Sequence, residues 1–236
     1  VQNTLIGSLA GDAITDADNN TALGYLALST DTLGSQSTAI GSGALATLNF
    51  STATNGANTA VGYDAGFAVT TGERNTLIGA NAGDALTDAD YNIALGWSAL
   101  GADTLGSRST ALGYNALSSQ NFTTATDAYN VAVGMFAGEA VTTGIQNTLI
   151  GSKAGDALTD ADFNTAVGML ALSGDTLGSK STALGYAALE AQNFTTATDS
   201  FNTALGFNAG ALVTTGRFNV LIGGLAGDAI TDGDSN

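Results

Sequence analysis

Apolar residues in this chain follow neither a helical nor a simple alternating period; they are keyed to glycines. The run Asn/Ser-Thr-Ala-aliphatic-Gly and its close variants set glycines at Gly7, Gly24, Gly41, Gly62, Gly79, Gly96, Gly113, Gly134, Gly151, Gly168, Gly185, Gly206 and Gly223. Their spacing is 17, 17, 21 and 17 residues, repeated, so the chain renews itself every 72 residues. Self-similarity at a fixed period marks a stack of short units rather than a globule. Counting each unit from its glycine as position 0, position −1 is always Ile, Leu or Val and position −3 is Thr, Ile or Val. Position −2 is Ala, or Leu in one unit of four, and position +3 is Ala in all thirteen units. Position −4 is Asn or Ser.

Short β-branched runs closed by a glycine predict strands. Alternate side chains of a strand point to opposite faces, so −3 and −1 share one face and −2 takes the other. Both faces are apolar, which predicts one inside a coil and one against a neighbour. The small residues at −2 and +3 suggest close approach of a second chain. Ala27, Ala44, Ala99, Ala116, Ala171 and Ala188 are the candidate contacts, with Asn58, Asn130 and Asn202 beside them. Glycine at 0 suits a sharp corner or a close backbone approach. Asn at −4 suits the preceding corner, where it tolerates a left-handed backbone and its amide can bond the Asn one turn away. The expected architecture is all-β, a parallel β-solenoid of thirteen rungs over residues 1–236 as one continuous body. At about 4.8 Å per rung it spans roughly 60 Å. The ends fall inside a repeat, so the natural polypeptide is expected to continue in both directions.

Within each 72-residue block, position +4 reads Gly, Leu, Leu, Gly. The first unit carries the acidic run Gly-Asp-Ala-Ile/Leu-Thr-Asp-Ala-Asp, and the third holds an extra loop beginning at Asn49, Asn121 or Asn193. Each of these asparagines opens an Asn-Phe-Ser/Thr sequon in an expected surface loop.

Charge narrows the functional classes. The net charge is −16, from 21 acidic and 5 basic residues, and the chain has no Cys, His or Pro. A strongly negative field repels phosphate backbones and anionic lipid surfaces, arguing against nucleic-acid or membrane-surface binding. No apolar run approaches the roughly 20 residues of a membrane-spanning helix. Serine–histidine and cysteine–histidine nucleophile pairs are excluded by composition. Paired carboxylates remain, but Asp12, Asp84, Asp156 and Asp228, like Asp31, Asp103 and Asp175, recur at 72-residue intervals. Recurrence reads as a solvated structural position, not as a single active site. No enzymatic activity and no cofactor are expected.

Two columns carry candidate binding chemistry. Asp16/Asp18, Asp88/Asp90 and Asp160/Asp162 place two carboxylates on one side of an extended segment, where hard oxygens suit Ca²⁺; the alternative is turn acids that keep an exposed edge soluble. At −5, Tyr91, Tyr129, Phe163, Phe201 and Phe218 stand beside Arg74, Arg108 and Lys180. Exposed aromatics there could stack on a glycan or a neighbouring fibre, or simply cover a corner of the coil. Gly41-Ser42-Gly43 only mimics a dinucleotide fingerprint, since its counterparts at 113–115 and 185–187 lack the second glycine.

Ser-Thr-Ala-Ile-Gly (37–41), Ser-Thr-Ala-Leu-Gly (109–113) and Asn-Thr-Ala-Val-Gly (58–62) resemble the head repeats of YadA-like trimeric adhesins, and similar runs occur in phage and cyanophage tail fibres. The resemblance covers all thirteen units. It implies a left-handed parallel β-roll, three identical chains side by side, and an extracellular or virion surface location. Rungs of 17 and 21 residues exceed the usual adhesin length, implying a larger outer side. No stalk, membrane anchor or C-terminal chaperone is present in these residues. The expected function is a structural shaft or head segment of an extracellular trimeric fibre that supports attachment to a surface glycan or protein. The alternatives are a self-assembling cell-surface filament and a glycan-binding module.

Overall fold

The computed structural model describes residues 2–236, and these contain strands, turns and bends but no helix. Contacts gather into two compact units: one holds the chain up to Tyr114 with Asn121–Asp127, the other Asn115–Gln120 with Ala128–Asn236. Both are coils of parallel β-structure built on the same plan.

In the first unit the strands Thr4–Ile6, Thr21–Leu23, Thr38–Ile40, Thr59–Val61, Thr76–Ile78, Ile93–Leu95 and Thr110–Leu112 each pair with the next in parallel. The second unit stacks Val131–Val133, Thr148–Ile150, Thr165–Val167, Thr182–Leu184, Thr203–Leu205 and Val220–Ile222 in the same way. Register is unit on unit: Thr21 meets Thr38, Ala22 meets Ala39 and Leu23 meets Ile40. The four extra residues of the long turn permit a second ladder, Gly34–Ser35 on Thr54–Asn55 and Gly178–Ser179 on Thr198–Asp199.

Most backbone hydrogen bonds run between turns, with a minority closing i to i+3 corners within one turn, such as Val69 N–H to the Gly66 carbonyl at 3.1 Å. Thr21 N–H donates to the Ser37 carbonyl at 2.9 Å, Gly24 N–H to Ile6 at 2.9 Å and Gly11 N–H to Ala27 at 3.0 Å. A short strand is marginal alone, so the coil exists only because each turn completes its neighbour's hydrogen bonds.

The glycine at position 0 is required twice over. Its φ runs from +124° to +144° across the thirteen turns, a region closed to side chains. A Cβ on Gly134 would also lie 2.6 Å from the Gly151 carbonyl oxygen, in the backbone of the next turn. The left-handed corner expected at the −4 asparagine lies one residue earlier. Arg74, Tyr91, Arg108, Phe163, Lys180, Phe201 and Phe218, all at −5, have φ between +50° and +64°. Each such residue costs about 1–2 kcal/mol, offset by the interstrand bonds that the corner permits. The −4 asparagines instead bridge turns from inside the coil. Asn58 Nδ2 donates to the Gly72 carbonyl at 2.8 Å, and its Oδ1 accepts the Asn75 N–H at 2.9 Å.

The interior is narrow, and its filling alternates. In the second and third turns of each block, −2 is Ala and position +4 is a buried Leu: Leu28, Leu45, Leu100, Leu117, Leu172 and Leu189. Where −2 is Leu, the +4 residues of its own and the preceding turn are Gly. Cβ atoms at Gly66 and Gly83 would come within 2.7 and 2.8 Å of the two methyls of Leu77, and Gly138 and Gly155 stand in the same relation to Leu149. One leucine thus fills the space that two turns leave open. Both halves of this coupling are visible in the columns, but the sequence does not announce that they touch.

Candidate functional site

The faces of the strand are reversed relative to the sequence expectation. Ala27, Ala44, Ala99, Ala116, Ala171 and Ala188 are fully buried inside their own chain, as are the −2 alanines. Asn58 and Asn130 are fully buried and Asn202 is 1% exposed. None of these residues is on an outer surface, so none can contact a partner. A small side chain is needed because the coil is narrow, which from sequence alone looks the same as a tight contact between chains.

The outward face is formed by −3, −1 and +1. Leu23, Leu95, Ile150, Leu184 and Leu205 at −1 are about two-fifths exposed or more, and threonines dominate the −3 column. Across the glycine lie Tyr25, Tyr63, Trp97, Tyr114, Met135, Met169, Tyr186 and Phe207, all about half exposed. Trp97 stacks on Tyr114 with centroids 5.1 Å apart, and Tyr186 on Phe207 at 5.2 Å. These three columns contain no charged residue in any turn. Within each unit the result is an uncharged apolar ribbon with the pitch of the β-ladder.

The aromatics of the −5 corner are exposed too, but the ring faces of Tyr91 and Phe201 are taken. Tyr91 lies between the guanidinium groups of Arg74 and Arg108, 5.3 and 4.9 Å from its centroid, and its hydroxyl accepts from Arg74 Nη1 at 2.7 Å. Phe201 lies between Lys180 at 5.3 Å and Phe218 at 5.5 Å. The cations also pair with acids: Arg74 with Glu73, Arg108 with Asp127, Lys180 with Asp199 and Arg217 with Asp234. Tyr91 and Phe201 therefore offer ring edges, not open platforms, and Tyr129 and Phe163 sit at equivalent exposed corners. The geometry favours corner covering over glycan stacking.

The Asp-x-Asp segments clip one turn to another. Asp88 accepts the Thr71 hydroxyl at 2.5 Å and Asp90 the Glu73 N–H at 2.7 Å. Asp160 and Asp162 repeat this with Thr143 at 2.6 Å and Ile145 at 2.8 Å. Asp18 donates its own N–H to Ser35 Oγ at 2.9 Å, and Asp16 lies exposed at the start of the first such segment. An open groove of about 720 Å³ runs past Asp160, Asp162, Asp199, Phe201 and Arg217. Burial, with the charges of Asp160 and Asp199 added, pushes the Asp162 carboxyl above its ordinary value. Among the described residues no three acidic side chains converge as a metal-binding group.

Asp31, Asp103 and Asp175 are not solvated: all three are fully buried. Each turns one oxygen to two backbone N–H groups, those of Gly34 and Phe50 for Asp31 and of Gly178 and Phe194 for Asp175, at 3.0–3.4 Å. Asp175 uses its second oxygen to accept Gln192 Nε2 at 2.6 Å, and Gln192 Oε1 in turn accepts Asn202 Nδ2 at 2.8 Å. In the first block Leu48 replaces that glutamine, and Asp31 Oδ2 has no partner. Burial raises the Asp31 carboxyl above its ordinary value of 3.8, against the pull of its backbone donors. Burial likewise raises Asp84 and Asp156.

No protein-family model, curated protein or solved structure matches the chain. No helix among the described residues is long and apolar enough to cross a membrane. What the surface can do must be read from its own chemistry, and its distinctive chemistry is the ribbon.

Proposed function

We propose that this chain is a structural segment of an extracellular fibre, an adhesin or a phage tail fibre, in which three identical left-handed coils lie side by side. Its work is mechanical: holding an attachment site away from a base. No catalytic residue, cofactor or metal is assigned. The observation that carries this reading is the ribbon. Exposed apolar side chains recurring along an uncharged strip of a chain of charge −16 mark an association surface. The repeating pitch of the ribbon is matched by another copy of the same ladder, and the absence of charge in its columns removes the repulsion that the acidic remainder would impose. The corrected interface is therefore −3, −1 and +1, not the alanines. Each strand-bearing turn also supplies the same set of bonds to its neighbours, so stability grows nearly additively with length.

Sedimentation equilibrium tests the reading. The parent is expected at three times the 23.2 kDa of one chain, with Met135, Met169 and Trp97 protected from oxidation. Leu95→Lys with Val167→Lys is expected to leave β-type circular dichroism intact and yield protomers. A monomeric parent with freely oxidised Met135 and Met169 refutes the proposal. Open-ended association into long polymers would instead favour the self-assembling filament.

A further inference from the structure

We infer that Asn49, Asn121 and Asn193 are acceptors for N-linked sugar, displayed once per 72-residue block on the loop of the long turn. The asparagines of this chain divide into two kinds. Those at −4 are buried and have both side-chain atoms engaged, as Asn58, Asn75 and Asn147 show. The three loop asparagines are exposed. In each, Oδ1 lies 3.1 Å from the hydroxyl of a threonine one turn earlier (Thr32, Thr104 or Thr176) and shares that hydroxyl's single hydrogen with the carbonyl of the following phenylalanine. That contact fixes the amide by its oxygen and leaves Nδ2, the atom a sugar would join, without a protein partner. Two residues on, Ser51, Thr123 and Thr195 expose the hydroxyl that completes the acceptor tripeptide.

Between them Phe50, Phe122 and Phe194 are buried at 4–6% exposure. The backbone N–H of Phe50 is held by the Asp31 carboxylate and its carbonyl accepts the Thr32 hydroxyl. The tripeptide is thus pinned on its inner side and open on its outer side, in backbone that is neither strand nor turn. It stands half a turn along the chain from the ribbon, so a sugar there does not obstruct association. Asn19-Asn20-Thr21 has the same residue pattern, but its Thr21 is held in the main ladder, whereas Ser51, Thr123 and Thr195 lie outside any strand. It cannot bend outward and is not assigned as an acceptor.

In the transfer, Nδ2 forms a bond to C1 of a sugar carried by a nucleoside diphosphate. The C1–oxygen bond to the diphosphate breaks, the diphosphate leaves with the electron pair, and the amide proton passes to the transferase. The folded chain incubated with a soluble asparagine glucosyltransferase and UDP-glucose is expected to gain three hexoses, located by peptide mass spectrometry at Asn49, Asn121 and Asn193. Ser51→Ala, Thr123→Ala and Thr195→Ala should each remove one hexose, with unchanged circular dichroism. The sugar-bearing chain should sediment as the unmodified chain does, whichever oligomer that is. Transfer to the unfolded but not the folded chain, transfer to neither, or equal labelling of Asn19 overturns the assignment.

Discussion

Leu48→Gln is expected to stabilise the protein, although it places a polar side chain in the core. The substitution copies into the first block what the third already contains. There Gln192 satisfies Asp175 Oδ2 and uses the second amide hydrogen of Asn202, whose other hydrogen goes to the Gly216 carbonyl. In the parent, Asp31 Oδ2 is buried without a donor, and Asn58 Nδ2 makes the equivalent carbonyl bond to Gly72 alone. A buried group left unpaired costs about 1–3 kcal/mol, more when charged. Removing Leu48 forfeits about 2 kcal/mol of apolar burial, of which the two methylenes of glutamine restore about 1.5. The balance is a gain of about 1 kcal/mol or more, or roughly 2–4 °C in Tm for a chain of this size.

The pH dependence makes the test sharper. The folded state holds the Asp31 proton more tightly than the unfolded chain does. Its contribution is therefore most favourable below the unperturbed value of 3.8 and is lost as pH rises through the raised one. The new amide donor stabilises the carboxylate, so the advantage of the variant should be small near pH 3.5 and largest at pH 7. Guanidinium unfolding followed by circular dichroism at both pH values measures this. A variant no more stable than the parent at pH 7, or one whose advantage is greater in acid, refutes the reasoning.

Gly151→Ala should cost more than about 3 kcal/mol, since φ is +133° and the new Cβ would lie 2.5 Å from the Gly168 carbonyl oxygen. Gly224→Ala, with no atom nearer than 4.0 Å, should change denaturation by less than about 0.5 kcal/mol. Leu149→Ala should cost about 2–5 kcal/mol by opening a cavity between Gly138 and Gly155, read from the same denaturation curves. With Asp31, Asp84, Asp156 and Asp162 all raised, the parent should melt higher near pH 4 than at pH 7. A melting temperature that falls monotonically on acidification from neutral pH would contradict those burials.

Period, strand position and the role of the corner glycine were legible in the sequence because each is a local demand repeated thirteen times. Gly134 and its equivalents admit no other residue, and Thr-Ala-Val at 59–61 suits little but a strand. Sidedness was not legible. Ala99 and Ala116 are small because the coil is narrow, and nothing in a column of alanines distinguishes an interior from a contact between chains. The exposed signal was present at +1, where Tyr25, Tyr63, Trp97 and Tyr186 are too large for that interior. Asp31, Asp103 and Asp175 were misread because recurrence marks a position as structural without saying which side of the wall it occupies. The clue was the residue 17 further on, glutamine in two blocks and leucine in one, a pairing visible only once turns are stacked. The sequence left the −5 corner undecided between ligand stacking and corner covering, because the cations and rings that close it come from different turns.

A chain assembled from near-copies faces a hazard that ordinary domains avoid, for a strand can dock on the wrong neighbour with almost every bond intact. The leucine that settles between two glycines removes that degeneracy. Slipped by a single turn, Leu149 would collide with a leucine on one side, and a void would open where it belonged. The fourfold alternation thus acts as a phase mark that penalises every slip shorter than a whole 72-residue block.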